Sequence, residues 1–227
     1  MDRYEVIQYL IDTKKYKRYL EIGVYRGEVF FQVKASRKYA VDTSFCFPVR
    51  TRYKMMWKNA SNIMAKYICK SSDAFFQQNA PGLFLKNKID IFFIDGMHEY
   101  EYALRDIQNA LRYLDEGGVI VVHDCNPLTE GATISFKEWE ANNYTGLWNG
   151  DVWKAVVHLR SLRDDINFFT LDTDHGLGIV VKGTPEYKLD LSPEQIKNLT
   201  YSEFDANRKN WLNLKPETYL QQYFNKV

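Results

Sequence analysis

The stretch Ile89-Asp90-Ile91-Phe92-Phe93-Ile94-Asp95-Gly96 decides the fold. Its near-continuous apolar run reads as a strand covered on both faces, as in a parallel sheet flanked by helices. Tyr100 to Leu114 follows, with Leu104, Ile107, Leu111 and Leu114 on one helical stripe. Gly117-Gly118 ends that helix, and Val119-Ile120-Val121-Val122 is another buried strand. Strand, helix and strand in close succession make a parallel crossover unit.

The same alternation extends outward in both directions. Arg3 to Thr13 places Val6, Ile7, Leu10 and Ile11 at helical spacing. Tyr19-Leu20-Glu21-Ile22 reads as a short buried strand ending in Gly23. Val29 to Ala35 reads as a short helix, Lys38 to Asp42 as a second strand, and Ile63 to Cys69 as a third. Ser71 to Gln78 is a helix with a serine cap. Asp151 to Leu162 is an amphipathic helix, capped by Asp151. Asn167–Leu171 and Gly178–Val181 form a closing pair of strands. The pattern predicts an α/β fold with a doubly wound, mostly parallel sheet. After Gly183-Thr184-Pro185 the composition turns polar and helical. The expected organisation is therefore a domain over 1–183 and a C-terminal helical extension over 184–227.

Composition narrows the function classes. The chain has 227 residues, with 30 Lys and Arg against 29 Asp and Glu. That balance argues against a groove built mainly to neutralise phosphates, although a local basic patch is compatible with it. A hydrophobic fraction of 45% supports a real core. No apolar run approaches the roughly 18 residues of a membrane span. Met1-Asp2-Arg3-Tyr4 does not open a signal peptide, and three cysteines are too few for a disulfide framework. The expectations are a cytoplasmic protein and a small-molecule acceptor, with neither nucleic acid nor membrane as partner. Aromatic residues make up 15% of the chain. The question is whether they gather where a substrate would sit.

Ligands of doubly wound sheets bind past the carboxyl ends of the strands. The first strand runs into Glu21-Ile22-Gly23-Val24-Tyr25-Arg26-Gly27. This is G-x-x-x-G, not the G-x-G-x-x-G of dinucleotide sites. Glu21 and Glu28 also disfavour a pyrophosphate at this turn. Asp42, at the end of the next strand, could accept hydrogen bonds from both hydroxyls of a ribose. The plainer reading is that Gly23 and Gly27 only make a turn and Asp42 only caps a strand.

Glu21-x-Gly23-x-x-x-Gly27 followed by Asp42 resembles the cofactor loop of class I S-adenosylmethionine-dependent methyltransferases. The resemblance implies a Rossmann-like sheet of that type and S-adenosyl-L-methionine as cofactor. It implies Glu21, Gly23, Tyr25 and Gly27 around the aminocarboxypropyl part, Asp42 on the ribose and Asp73 towards the adenine, with Asp95 also in the cofactor set. Tyr25 stands where the common motif has a central glycine.

Two further strand ends carry chemistry. Ile94-Asp95-Gly96-Met97-His98-Glu99-Tyr100 and Val122-His123-Asp124-Cys125-Asn126-Pro127 close adjacent predicted strands. Carboxylates from two neighbouring strand ends could bind a hard divalent cation such as Mg²⁺. His98 could act as general base on a substrate hydroxyl. The plainer readings are strand-end caps for Asp95 and Asp124 and a solvated helix residue for His98. His158 reads as structural and His175 as a turn residue.

The Asp-Gly-x-His-x-Tyr stretch and the later His-Asp resemble the methyltransferase branch that modifies sugar hydroxyls in macrolide natural products, with relatives labelled cephalosporin hydroxylase-like. That resemblance implies Asp95 and Asp124 as metal ligands and His98 as base. His123 and Cys125 flank Asp124, so a third ligand is not implied beside it.

The stretch 126–153 is long and aromatic, with Trp139, Tyr144, Trp148 and Trp153, and is expected to form a lid or acceptor wall. The aromatic tail (Tyr201, Phe204, Trp211, Tyr219, Tyr223) could cover the acceptor or pack a homo-oligomer. The leading function is methyl transfer to a hydroxyl of a small polar acceptor, such as a sugar. The alternatives are a nicotinamide-dependent oxidoreductase and a non-catalytic cofactor-binding module.

Overall fold

The computed structural model describes residues 1–225. The chain divides into two compact units, Met1–Gly96 with Asp106–Val121, and Met97–Arg105 with Val122–Val227.

The first unit opens with α1 (Arg3–Lys14). Asp2 and Glu5 form a capping box at its start, and Lys15 closes it in the left-handed conformation. Val6, Ile7, Leu10 and Ile11 are its buried stripe. β1 (Arg18–Ile22) pairs in parallel with β2 (Arg37–Asp42), with Ile22 opposite Val41. α2 (Val49–Lys58) precedes β3 (Lys66–Cys69), which extends the sheet beside β2. α3 (Ser72–Gln78), capped by the Ser71 hydroxyl, and α4 (Ala80–Phe84) lead to β4 (Ile89–Ile94). β4 pairs in parallel with the other side of β1. α5 (Tyr100–Tyr113) runs into β5 (Leu114–Val122). The strand order of this unit is β3-β2-β1-β4-β5. The order therefore reverses between β1 and β4, and their carboxyl ends mark the switch point where such folds bind ligands.

β4 is the centre of the core, with Ile89, Ile91, Phe92 and Phe93 fully buried. Each such side chain contributes about 1.5–3 kcal/mol of transfer free energy. The predicted mostly parallel α/β fold is present.

Three local expectations are corrected. Val29–Ala35 is a series of turns and not a helix. The Lys38 ammonium binds the carbonyls of Phe30 and Val33, and the Asn59 amide binds those of Phe31, Gln32 and Val33. Side chains thus take the acceptors that a continuing helix would use. β3 begins at Lys66, because Ala60–Asn62 forms a 3-10 turn whose Asn59 cap holds Ser61. β5 begins at Leu114, and Gly117-Gly118 lies inside it. A side chain at Gly118 would meet the Asp90 carbonyl at 2.8 Å.

The second unit contains α6 (Phe136–Ala141), α7 (Val152–Leu162) and the antiparallel hairpin β6 (Ile166–Leu171) and β7 (Leu177–Lys182). His175 sits in the hairpin turn at φ 61°. α8 (Pro193–Asn198), α9 (Tyr201–Trp211), β8 (Leu214–Lys215) and α10 (Tyr219–Phe224) follow. β8 pairs in parallel with β6. Trp153 of α7 packs on Phe204 of α9 at 4.5 Å between ring centroids. The buried Arg160 guanidinium donates to the Asn210 and Trp211 carbonyls, holding the end of α9. No helix among the described residues is long and apolar enough to cross a membrane.

Candidate active site

In the first unit, the loop after β1 is fixed by backbone geometry. Gly23 has φ 82°, and a Cβ there would lie 1.8 Å from the Asp95 carbonyl oxygen. Its N–H donates to the Val41 carbonyl at 3.0 Å, and the Asp95 N–H donates to the Ile22 carbonyl at 2.9 Å. Gly23 and Asp95 therefore meet at the switch point, and only glycine fits there. Gly27, at φ 76°, packs under the Phe31 ring.

Tyr25 takes the left-handed conformation, φ 46°, with an exposed side chain. For a non-glycine residue that costs of order 1–3 kcal/mol. The compensation is visible: its N–H donates to Asp42 Oδ2 at 2.7 Å, and its carbonyl accepts from Cys46 N at 3.0 Å. Asp42 Oδ1 accepts from Ser44 N at 2.9 Å. The acid of β2 thus ties the glycine loop to its own strand end.

Glu21 lies elsewhere. It is 2% exposed and accepts from the Tyr19 hydroxyl. Burial pushes its carboxyl up to about 8, against the pull of the Tyr19 hydrogen bond and nearby Lys38. Burial likewise lowers the Lys38 ammonium to about 7. Burial thus favours the neutral form of the Glu21 carboxyl. Asp73 is exposed in the first turn of α3. Asp95 presents Oδ2 to Arg3 Nη1 at 3.2 Å. No sequence pattern pointed to Arg3, which lies 92 residues away.

In the second unit, His98 and Asp124 meet. His98 Nδ1 is 3.1 Å from Asp124 Oδ2 and 3.1 Å from the Trp148 carbonyl oxygen. Two acceptors at Nδ1 place the proton there, so the neutral ring carries its lone pair on Nε2. Asp124 is 4% exposed and sits at φ 60°. Its Oδ1 accepts from the Asn149 amide at 2.5 Å, and its Oδ2 lies 2.9 Å from His123 Nδ1.

The segment Trp148-Asn149-Gly150-Asp151 wraps His98. The Trp148 ring stacks on the imidazole at 4.9 Å. A Cβ at Gly150 would lie 1.6 Å from the His98 carbonyl oxygen. The Asp151 N–H donates to that same oxygen at 3.1 Å. The Asp151 carboxylate accepts from Tyr100 N at 2.6 Å instead of capping α7, which corrects the expected cap. Burial raises the Asp151 carboxyl above its ordinary range.

The aromatic stretch is partly regular, with a 3-10 turn at Glu130–Thr133 and α6 behind a Ser135–Glu138 capping box. Trp139 stacks on Trp148 at 4.6 Å, continuing the ring ladder from His98. Trp153 is instead buried in α7. His158 is bound to the Tyr100 hydroxyl at 2.6 Å. A cavity of about 400 Å³ is lined by Glu99, Tyr100, Glu101, Thr133, Ser135 and Asp151, among others, and His98 is not one of its walls.

A family model described as a methyltransferase domain matches residues 20–125. No curated protein matches the chain. Among solved structures, it is similar to the O-methyltransferase from Bacillus cereus in complex with SAH, at 15% identity, 80% coverage of each chain and a TM-score of 0.58. It is similar to the O-methyltransferase TomG from Streptomyces achromogenes, involved in tomaymycin synthesis and bound to SAM, at 13% identity, 79% coverage of each chain and a TM-score of 0.58. A third is the SAH-bound Podospora anserina methyltransferase PaMTH1, at 19% identity, with 80% of this chain and 78% of that one covered and a TM-score of 0.55. Residues 20–125 are thus similar to a methyltransferase domain, and the chain shares its fold with O-methyltransferases solved with SAM or SAH bound.

Proposed function

We propose that this protein moves a methyl group from S-adenosylmethionine to a hydroxyl of a small polar acceptor, with a sugar or natural-product glycan as the favoured class. The observation that carries the reading is His98, whose Nδ1 faces the Asp124 carboxylate and the Trp148 carbonyl, with Nε2 as the atom that would take a proton. S-adenosylmethionine, when bound, supplies a methyl group on a sulfonium that an in-line nucleophile can displace.

The residues present fit that cofactor. Asp42 accepts one backbone N–H on each carboxylate oxygen, Oδ1 also accepts from the Thr43 hydroxyl at 3.5 Å, and Oδ2 retains a lone pair for a ribose hydroxyl. Gly23 and Gly27 bring the loop backbone close without side chains. Glu21 is buried at the end of β1, where burial favours its neutral form.

His98 deprotonates the acceptor hydroxyl. Asp124 holds the ring and balances the imidazolium that forms, as the buried acid does in a Ser-His-Asp triad. The acids and hydroxyls of the neighbouring cavity suit a polyol. Most of the acceleration would come from positioning.

Binding of a divalent cation by strand-end carboxylates is the finer form of the proposal. Carboxylate oxygens are ligand atoms of the right kind for such a cation. A small-molecule acceptor and no nucleic-acid partner belong to the same reading. The test is calorimetry with S-adenosylmethionine on the wild type and Asp42→Ala, followed by transfer of labelled methyl to a panel of glycosides. Absence of cofactor binding by the intact protein would sink the proposal.

A further inference from the structure

The near-zero net charge conceals a strongly basic segment. Residues 43–72 contain Arg50, Arg52, Lys54, Lys58, Lys66 and Lys70 and no Asp or Glu. Their centre is α2, a helix of ten residues with none buried. It is held from one side. The Arg52 guanidinium sits 4.2 Å from the Tyr67 ring centroid, and the Met55 carbonyl accepts from the Asn62 amide at 3.0 Å.

The opposite side carries two parallel stripes at i, i+4, i+8 spacing. One is Val49, Tyr53 and Trp57, exposed by 58%, 63% and 93%. The other is Arg50, Lys54 and Lys58, all exposed. The turn that follows adds Ile63 and Met64, exposed by 58% and 65%. A tryptophan this exposed beside aliphatic side chains has no function in a helix meant for water alone. A dissolved polyanion would use the cations and the ring faces but gains nothing from Val49, Ile63 or Met64. A surface that is anionic outside and apolar beneath uses every member of both stripes.

We infer that α2 is an interfacial helix that docks this protein on an anionic lipid surface, with Trp57 and Tyr53 at the headgroup–acyl boundary and Arg50, Lys54 and Lys58 on the lipid phosphates. It departs from the expectation of no membrane partner, which rested on the lack of an apolar run long enough to span a bilayer. The helix lies on the surface and does not span it. The site is separate from the proposed methyl-transfer residues, so either proposal can fail without the other.

The test uses the full-length protein, with flotation and tryptophan emission on vesicles of phosphatidylcholine alone or mixed with phosphatidylserine. The expected result is binding only to the mixed vesicles, weakened by salt, with a blue shift that Trp57→Phe removes. Each basic residue is worth roughly five-fold in partitioning. The variant Arg50→Ser/Lys54→Ser/Lys58→Ser should therefore lose on the order of 100-fold. Its folding is checked by an unchanged melting temperature, since none of the three side chains is buried. Equal binding to both vesicle types, or none to either, overturns the inference. So does unchanged binding by the triple variant. Tighter capture of a double-stranded oligonucleotide, or a concentration-dependent dimer that buries Trp57, reassigns the face to nucleic acid or to a second copy.

Discussion

Tyr25 donates its backbone N–H to the Asp42 carboxylate at 2.7 Å, so the glycine loop and the acid of the next strand form one hydrogen-bonded unit. Asp42 then has two tasks. It would hold the ribose, and it holds a tyrosine in a conformation that glycine normally fills.

Asp42→Ala should remove both at once. A hydrogen bond to a charged group is worth about 1.5–3 kcal/mol, which is roughly 10- to 100-fold in cofactor affinity. Asp42→Asn retains one acceptor and should lose less. Calorimetry on the two variants separates the tasks; equal affinities for Asp42→Ala and wild type would remove Asp42 from the site.

Gly150→Ala should be disruptive although alanine is small. The added Cβ falls on the His98 carbonyl, and φ is 59°. A loss of about 2 kcal/mol or more is expected, with lower activity. Gly131→Ala meets nothing within 4 Å and serves as the control. Thermal denaturation of the pair checks it, and similar melting temperatures would mean the 148–151 segment does not clamp His98.

His98→Gln should lower kcat by about 10²- to 10⁴-fold, the usual share of a general base, with little change in cofactor affinity. The acidic limb of the pH–rate profile should go with it. A profile of unchanged shape would exclude His98 as the base.

Glu21 sets a pH dependence of stability. The folded carboxyl holds its proton up to about pH 8, whereas the unfolded one releases it near 4.5. The folded state binds more protons across that window. Stability is therefore full below 4.5 and is lost as pH rises towards 8, by up to about 1.4 kcal/mol per unit. Lys38, lowered to about 7, adds the opposite slope only between 7 and 10.5. Between pH 4.5 and 7 the wild type should lose stability relative to Glu21→Gln. Parallel urea midpoints for the two proteins would contradict this.

The parts of the fold that hydrophobic pattern controls were legible in the sequence. β4 and the α1 stripe bury the residues their periodicity singles out. Pattern failed where side chains, and not apolar faces, decide the backbone. Val29–Ala35 has helical spacing, but Lys38 and Asn59 claim its carbonyls. α2 has no buried stripe to detect. Residue type and strand end singled out Asp42, Asp95, His98 and Asp124 as candidates. Arg3 and Asn149 were invisible, because each meets its acid across 92 and 25 residues with no local signal.

Trp148-Asn149-Gly150-Asp151 is a four-letter word in which every letter has its own constraint. The first supplies a ring and a carbonyl, the second an amide, the third the lack of a side chain, and the fourth an acceptor for Tyr100. All four answer to residues 98–100 and 124. The word, paired with Asp-x-x-His about fifty positions earlier, is therefore a query by which distant chains sharing this histidine clamp could be recognised before any of their structures is known.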